Sequence, residues 1–159
     1  MIAQTGARPV TRYLSLAAFC VLVLGGGSLI GYTNQPGPWF AGLAKPAFNP
    51  PGWLFAPVWS ALYLMIALAG WRIWEAHRTS AAMVIWAVAL ALNFLWSPVF
   101  FGMQNPGAAF AVILPLLALI YGFIAQAWRL DRVSAWLFVP YAAWVSFATV
   151  LNGAIWRLN

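Results

Sequence analysis

Residues 79–128 read TSAAMVIWAVALALNFLWSPVFFGMQNPGAAFAVILPLLALIYGFIAQAW, and they hold no lysine, arginine, aspartate, glutamate or histidine. Two apolar runs, 81–101 and 108–128, flank the break Gly102-Met103-Gln104-Asn105-Pro106-Gly107. A helix rises about 1.5 Å per residue and a bilayer core is about 30 Å thick, so about 20 apolar residues cross it. Each run has that length. The stretch therefore predicts two membrane-spanning helices joined by a tight turn.

The pattern repeats on both sides. Further apolar runs lie at about 13–32, 53–74 and 133–156, with Arg72 the only charge inside them. The fold class expected is an all-α integral membrane protein, a single domain over 1–159 built as a bundle of five transmembrane helices. The first run follows Arg8 and Arg12 and resembles a signal peptide. However, it continues to Ile30, and Gly25-Gly26-Gly27-Ser28 offers no A-x-A site, so it is read as a retained helix. Short connections make successive helices antiparallel neighbours. The exception is the loop 33–52, which holds five of the eleven prolines with Trp39, Phe40 and Phe48. Proline fixes φ and removes a donor. The loop is thus stiff, not helical throughout, and reads as a lid.

Composition agrees. Of 159 residues 64% are apolar and 6% charged, whereas a soluble domain carries about 25% charge. Soluble enzyme, coiled coil and disordered chain are excluded. The net charge of +6 comes from eight scattered basic residues against Glu75 and Asp131. They form no stripe, so no nucleic-acid partner is expected. One histidine, His77, and one cysteine, Cys20, cannot build a three- or four-ligand metal centre, so no metal site or required cofactor is expected. His77 is better read as a solvated loop residue than as a haem ligand, and Cys20 as a small buried hydrophobe.

The basic residues set an orientation instead. Arg8, Arg12, Arg72, Arg78, Arg129 and Arg132 fall on one side, Lys45 and Arg157 on the other. The positive-inside rule then puts the N-terminus in the cytoplasm and the long loop outside. No internal repeat is visible, and five spans do not divide into equal halves, which disfavours an inverted-repeat transporter.

Helical spacing shows which interior residues share a face. On the second span Trp59 and Tyr63 are four apart. On the third, Asn93, Trp96, Ser97 and Phe100 fall at i, i+3, i+4 and i+7. On the fifth, Tyr141, Trp144, Ala148 and Asn152 fall at i, i+3, i+7 and i+11. Two readings stand side by side. In one, amides, serines and indoles pack helices together. In the other, they line a pocket for a large, flat, mostly apolar ligand that stacks on indoles and is oriented by a few amides and hydroxyls. Gly27 and Gly31 are spaced as a small-xxx-small pair, and so are Ala87 and Ala91. Either pair suits a dimer seam or internal packing.

Three blocks carry a family resemblance: Trp39-Phe40 with Lys45-Pro46-Ala47-Phe48-Asn49-Pro50-Pro51-Gly52-Trp53, Pro57-Val58-Trp59 and Leu62-Tyr63; Leu92 to Gly102; and Val139 to Asn152. Together they resemble the tryptophan-rich sensory protein/translocator protein family (TspO, the peripheral-type benzodiazepine receptor), as a bacterial-type member. The resemblance implies five membrane helices, a homodimer, and binding of porphyrins, haem, sterols and drug-like ligands beneath the first loop. Carried over by motif, Trp59, Asn93, Trp144 and Ala148 match pocket positions, with Trp39, Phe40, Tyr63 and Phe100 near them. Some bacterial members of the family promote light-dependent porphyrin breakdown, and Trp59 and Trp144 match the tryptophans implicated.

Two departures stand out. Phe40 replaces the tyrosine common at that loop position. The segment Val150 to Arg157 lacks the tyrosine of the animal sterol motif, so strong sterol binding is not expected. The sequence therefore predicts a membrane receptor or carrier for porphyrin, haem or a similar apolar ligand, with a regulatory or stress-sensing role. A light-dependent porphyrin-degrading enzyme and a tetrapyrrole or sterol transporter are the alternatives. The expected location is the inner membrane of a bacterial envelope, with the outer membrane as the alternative.

Overall fold

The structure, a computed structural model, describes residues 9–159. Arg8, counted in the charge asymmetry, lies outside them. Five helical spans make the fold, and no strand occurs among the described residues. The first runs as α-helix Pro9–Cys20, a wider π-helical turn Val21–Gly25, and α-helix Gly26–Thr33. The second is Phe55–His77, entered through a 3-10 turn at Gly52–Leu54. The third is Ala81–Ser97, continued by a π-helical turn Pro98–Gly102. The fourth is Pro106–Leu130 and the fifth Arg132–Leu158.

The fourth span begins before the apolar run that predicts it, because its start signals are polar. The Asn105 side chain accepts from the Ala108 backbone N–H at 2.9 Å, and Pro106 takes the first helical position, where its missing N–H costs nothing. The loop 33–52 is likewise not wholly irregular: Pro38–Gly42 forms one short helix with proline at its start.

Around the bundle, the first span packs on the second, the second on the fifth, the fifth on the fourth and the fourth on the third. Gly26–Thr33 returns to the third and completes the ring. Close approach there depends on glycine. A Cβ on Gly26 would stand 2.8 Å from the Phe94 ring, and one on Gly27 would run into Tyr63. Gly27 therefore serves internal packing. Gly70 on the second span is similar. The Trp86 indole lies across it, where a Cβ would collide, and its Nε1 donates to the Ile66 carbonyl at 2.9 Å.

The bundle half away from the loop is a dry core, with Ile66, Ile73, Ile120, Phe123 and Phe138 fully or almost fully buried. An ion pair closes its end. Arg72 donates through Nε to Asp131 Oδ2 at 2.7 Å and through Nη2 to Oδ1 at 2.9 Å. Ser134 Oγ donates to the same carboxylate at 2.6 Å. The second span is thereby tied to the turn between the fourth and fifth. The hydrogen bond from Arg72 holds the Asp131 carboxyl down to about 2, assisted by Ser134 and opposed by partial burial.

A depressed carboxyl stabilises the fold above its unfolded pKa, about 3.9, and loses that contribution as pH falls toward the folded value. Asp131 is 17% exposed and Arg72 37%, so the pair lies between surface and buried limits and is worth about 1–2 kcal/mol. Asp131→Asn should lower the unfolding midpoint in detergent at pH 7, and the gap to the parent should close between pH 4 and 2. A gap independent of pH would show that the pair contributes nothing.

Candidate ligand-binding site

The loop half of the bundle holds a half-open cavity of about 570 Å³. Its walls come from every span: Gly27 and Gly31 from the first, Phe55, Trp59 and Tyr63 from the second, Asn93, Trp96, Ser97 and Phe100 from the third, Ile113 and Leu116 from the fourth, Trp144, Ala148 and Asn152 from the fifth. Asn34, Pro36, Phe40, Asn49 and Pro50 contribute from the loop side.

The third span owes part of its face to Pro98. Proline cannot donate to the carbonyl one turn back, and the chain widens here into a π-helical turn, with Met103 N–H bonded to the Pro98 carbonyl at 2.8 Å. Neighbouring residues on a regular helix diverge by about 100°. Here Phe100 and Phe101 both meet the Phe40 ring, at 6.0 and 5.3 Å between centroids. Trp96 stacks on Phe100 at 5.0 Å.

Two amides bond across the fold. Tyr63 Oη donates to Asn93 Oδ1 at 3.2 Å, and Asn93 Nδ2 donates to Tyr141 Oη at 2.9 Å. Trp96 Nε1 donates to Asn152 Oδ1 at 3.0 Å, and Asn152 Nδ2 to the Pro106 carbonyl at 2.8 Å. Asn93 and Asn152 thus join spans and line the cavity at once. The walls they hold are aromatic: Trp59 lies 5.2 Å from Tyr63 and Phe55 lies 5.7 Å from Trp144.

Two residues expected at the pocket are elsewhere. Tyr141 is 1% exposed and does not line the cavity. It lies beneath the floor, because its hydroxyl is the acceptor for Asn93 and its ring meets Phe138 edge-on at 5.4 Å. Trp39 turns its edge to Phe100 at 6.0 Å and faces a smaller polar recess with Gln104 and Trp156. Its neighbour Phe40 takes the cavity side. The other ten expected residues line the cavity. Phe55, Phe101 and Asn49 were not singled out. Phe55 is one turn before Trp59, a signal that spacing offered, whereas no periodicity reaches into the loop.

The loop is docked firmly. Lys45 Nζ donates to the Ala41 and Leu43 carbonyls at 3.2 and 3.1 Å and sits 4.7 Å over the Phe40 ring. Asn159 clamps Ala44 with both ends of its amide: Ala44 N–H donates to Oδ1 at 2.9 Å, and Nδ2 donates to the Ala44 carbonyl at 3.1 Å. Among the described residues no three His, Cys, Asp or Glu side chains converge as a metal site. The cavity offers stacking faces, not acid–base pairs.

The sequence matches the TspO/MBR family over residues 18–157. The chain belongs to that family. Similar family proteins include Protein CrtK of Rhodobacter capsulatus, 35% identical across 81% of this chain and 83% of that protein. A tryptophan-rich sensory protein of Cereibacter sphaeroides is 35% identical across 92% of this chain and 90% of its own length. The translocator protein of Homo sapiens is 32% identical across 76% and 75%. This TspO-family chain is an integral membrane protein with five spans.

Ala148 tests the cavity wall. It lines the cavity, whereas Ala143 on the same helix is exposed. Threonine at 148 adds a methyl and a hydroxyl to the wall, and overpacking costs about 1–3 kcal/mol. Ala148→Thr should weaken uptake of a flat ring probe into the cavity at least about fivefold with little change in the unfolding midpoint, and Ala143→Thr should not. Equal losses, or a loss tracking a fall in the midpoint, would remove Ala148 from the wall.

Proposed function

We propose that the protein is a membrane receptor or carrier that takes a flat, largely apolar ring ligand, a porphyrin or haem, into the aromatic cavity beneath the loop. The observation that carries this reading is the convergence of Trp59, Trp96 and Trp144, from three spans, on one cavity. Its volume of about 570 Å³ falls within the range of about 300–1,000 Å³ typical of small-molecule sites. Indole faces attract flat rings, and stacking adds on the order of 0.5–1.5 kcal/mol per ring pair beyond area burial. The names of two relatives, a sensory protein and a translocator, accord with a ligand receptor or carrier. A regulatory or stress-sensing role belongs to the same proposal, as does a second copy of the chain as partner.

Light-driven breakdown of the bound ring is the second reading. It is favoured by Trp59 and Trp144 sharing the cavity wall. Product analysis of illuminated and dark samples separates it from binding alone.

Porphyrin added to purified protein should quench tryptophan fluorescence. Trp59→Phe and Trp144→Phe should each weaken binding about two- to tenfold, and the double variant should lose more. Three titrations matching the parent would sink the pocket.

The charge asymmetry supports an inner-membrane location with the loop outside. In a Cys20→Ala background, Gly42→Cys should react with an impermeant thiol reagent in intact cells, and Arg78→Cys only after lysis. The reverse pattern would invert the topology.

A further inference from the structure

The cavity is open on one side. Among the described residues that line it, six are exposed: Ser28 and Gly31 on the first span, Pro36 in the loop, and Gly52, Ala56 and Ser60 at the start of the second. Every lining residue of the third, fourth and fifth spans is buried or half-buried. The opening therefore lies between the first and second spans. The packing accounts for it. Pro9–Gly25 packs on the second span, but Gly26–Thr33 packs on the third. Gly27 and Gly31 are one turn apart on one helix face. A Cβ on Gly27 would run into Tyr63, whereas one on Gly31 would meet no atom within 4 Å. The two spans thus touch at Gly27 and stand apart one turn later.

Depth decides what lies outside the opening. Tyr32 and Trp53 are 76% and 73% exposed, and tyrosine and tryptophan at span ends sit at the headgroup level. Ser28 is one turn deeper than Tyr32 and Ser60 two turns deeper than Trp53, about 6 and 10 Å by helical rise. The rim there faces acyl chains, with Leu29 and Leu64 exposed beside it. Ser60 suits that setting, because its Oγ donates to the Ala56 carbonyl of its own helix at 2.8 Å. The roof, by contrast, is held down. Asn159 pairs with both polar groups of Ala44, and Phe40 lies against Phe100 and Phe101.

We propose that ring ligands enter and leave by this side opening, exchanging with the hydrocarbon layer while the loop stays docked. A flat apolar ring then passes from acyl chains to an aromatic cavity without exposing its faces to water, as a route through the roof would require. The proposal rests on the ring-ligand reading above and adds the route to the cavity.

Substitutions at the rim test it. Gly31 has open space beside it and Ser60 is exposed, so a larger side chain fits at either without repacking the bundle. In protein reconstituted into lipid nanodiscs, stopped-flow quenching by protoporphyrin gives the uptake rate, and dilution gives the release rate. Gly31→Phe and Ser60→Phe, one from each side of the opening, should each slow uptake and release together by about tenfold. A side chain that only crowds the bound ring would instead speed release. Asn159→Ala, which frees the loop from its clamp, should change either rate by less than about twofold. Faster release in the rim variants, rates equal to the parent's, or faster exchange in Asn159→Ala overturns the side route and leaves the ring-ligand reading intact. Absence of quenching in the parent overturns both.

Discussion

The Asn93 side chain ties three spans together, and the cavity depends on where it does so. An amide inside a bilayer has no water to bond, so each of its polar atoms must find a partner in the protein. Asn93 finds Tyr63 on the second span and Tyr141 on the fifth. That relay is a horizontal brace. On one side of it the helices close into a dry core; on the other they part. Asn152 works as a second brace nearer the loop, joining Trp96 to Pro106, the first residue of the fourth span. Between these fixed levels the walls are left to aromatic rings.

The loop over the cavity follows the same rule of internal satisfaction. Lys45 spends its charge on carbonyls of its own loop, and Asn159 pairs with both polar groups of Ala44. Rings then seal the seam, Phe40 against Phe100 and Phe101, and Phe48 against Phe147 at 6.3 Å. The widened turn after Pro98 matters here, since it offers two successive phenylalanines to a single loop residue.

The five spans were legible because bilayer thickness leaves a length signal that composition cannot hide. The face Asn93, Trp96, Ser97, Phe100 was legible because helical spacing is rigid. Tyr141 shows the limit of that signal. It shares a stripe with Trp144, but spacing does not say where along the helix a cavity ends, so a residue under the floor reads like one in the wall. Trp39 and Phe40 show another limit. Adjacent loop residues follow no period, and only the docked loop decides which ring faces inward. The asparagines at 93 and 152 lie on the cavity wall as the spacing suggested, and their partners on other spans were not legible from it.

The contact between Gly70 and Trp86 has a consequence for how the sequence can change. The indole occupies the place of a missing side chain and brings an N–H to the Ile66 carbonyl. Size at the two positions is therefore coupled. A larger residue at 70 would be accepted only beside a smaller one at 86, and that exchange would strip the carbonyl of its indole donor. The single steps in either direction are unfavourable, one by collision and the other by a void. Lineages should hold the pair together or exchange both members at once, so the two positions drift as one.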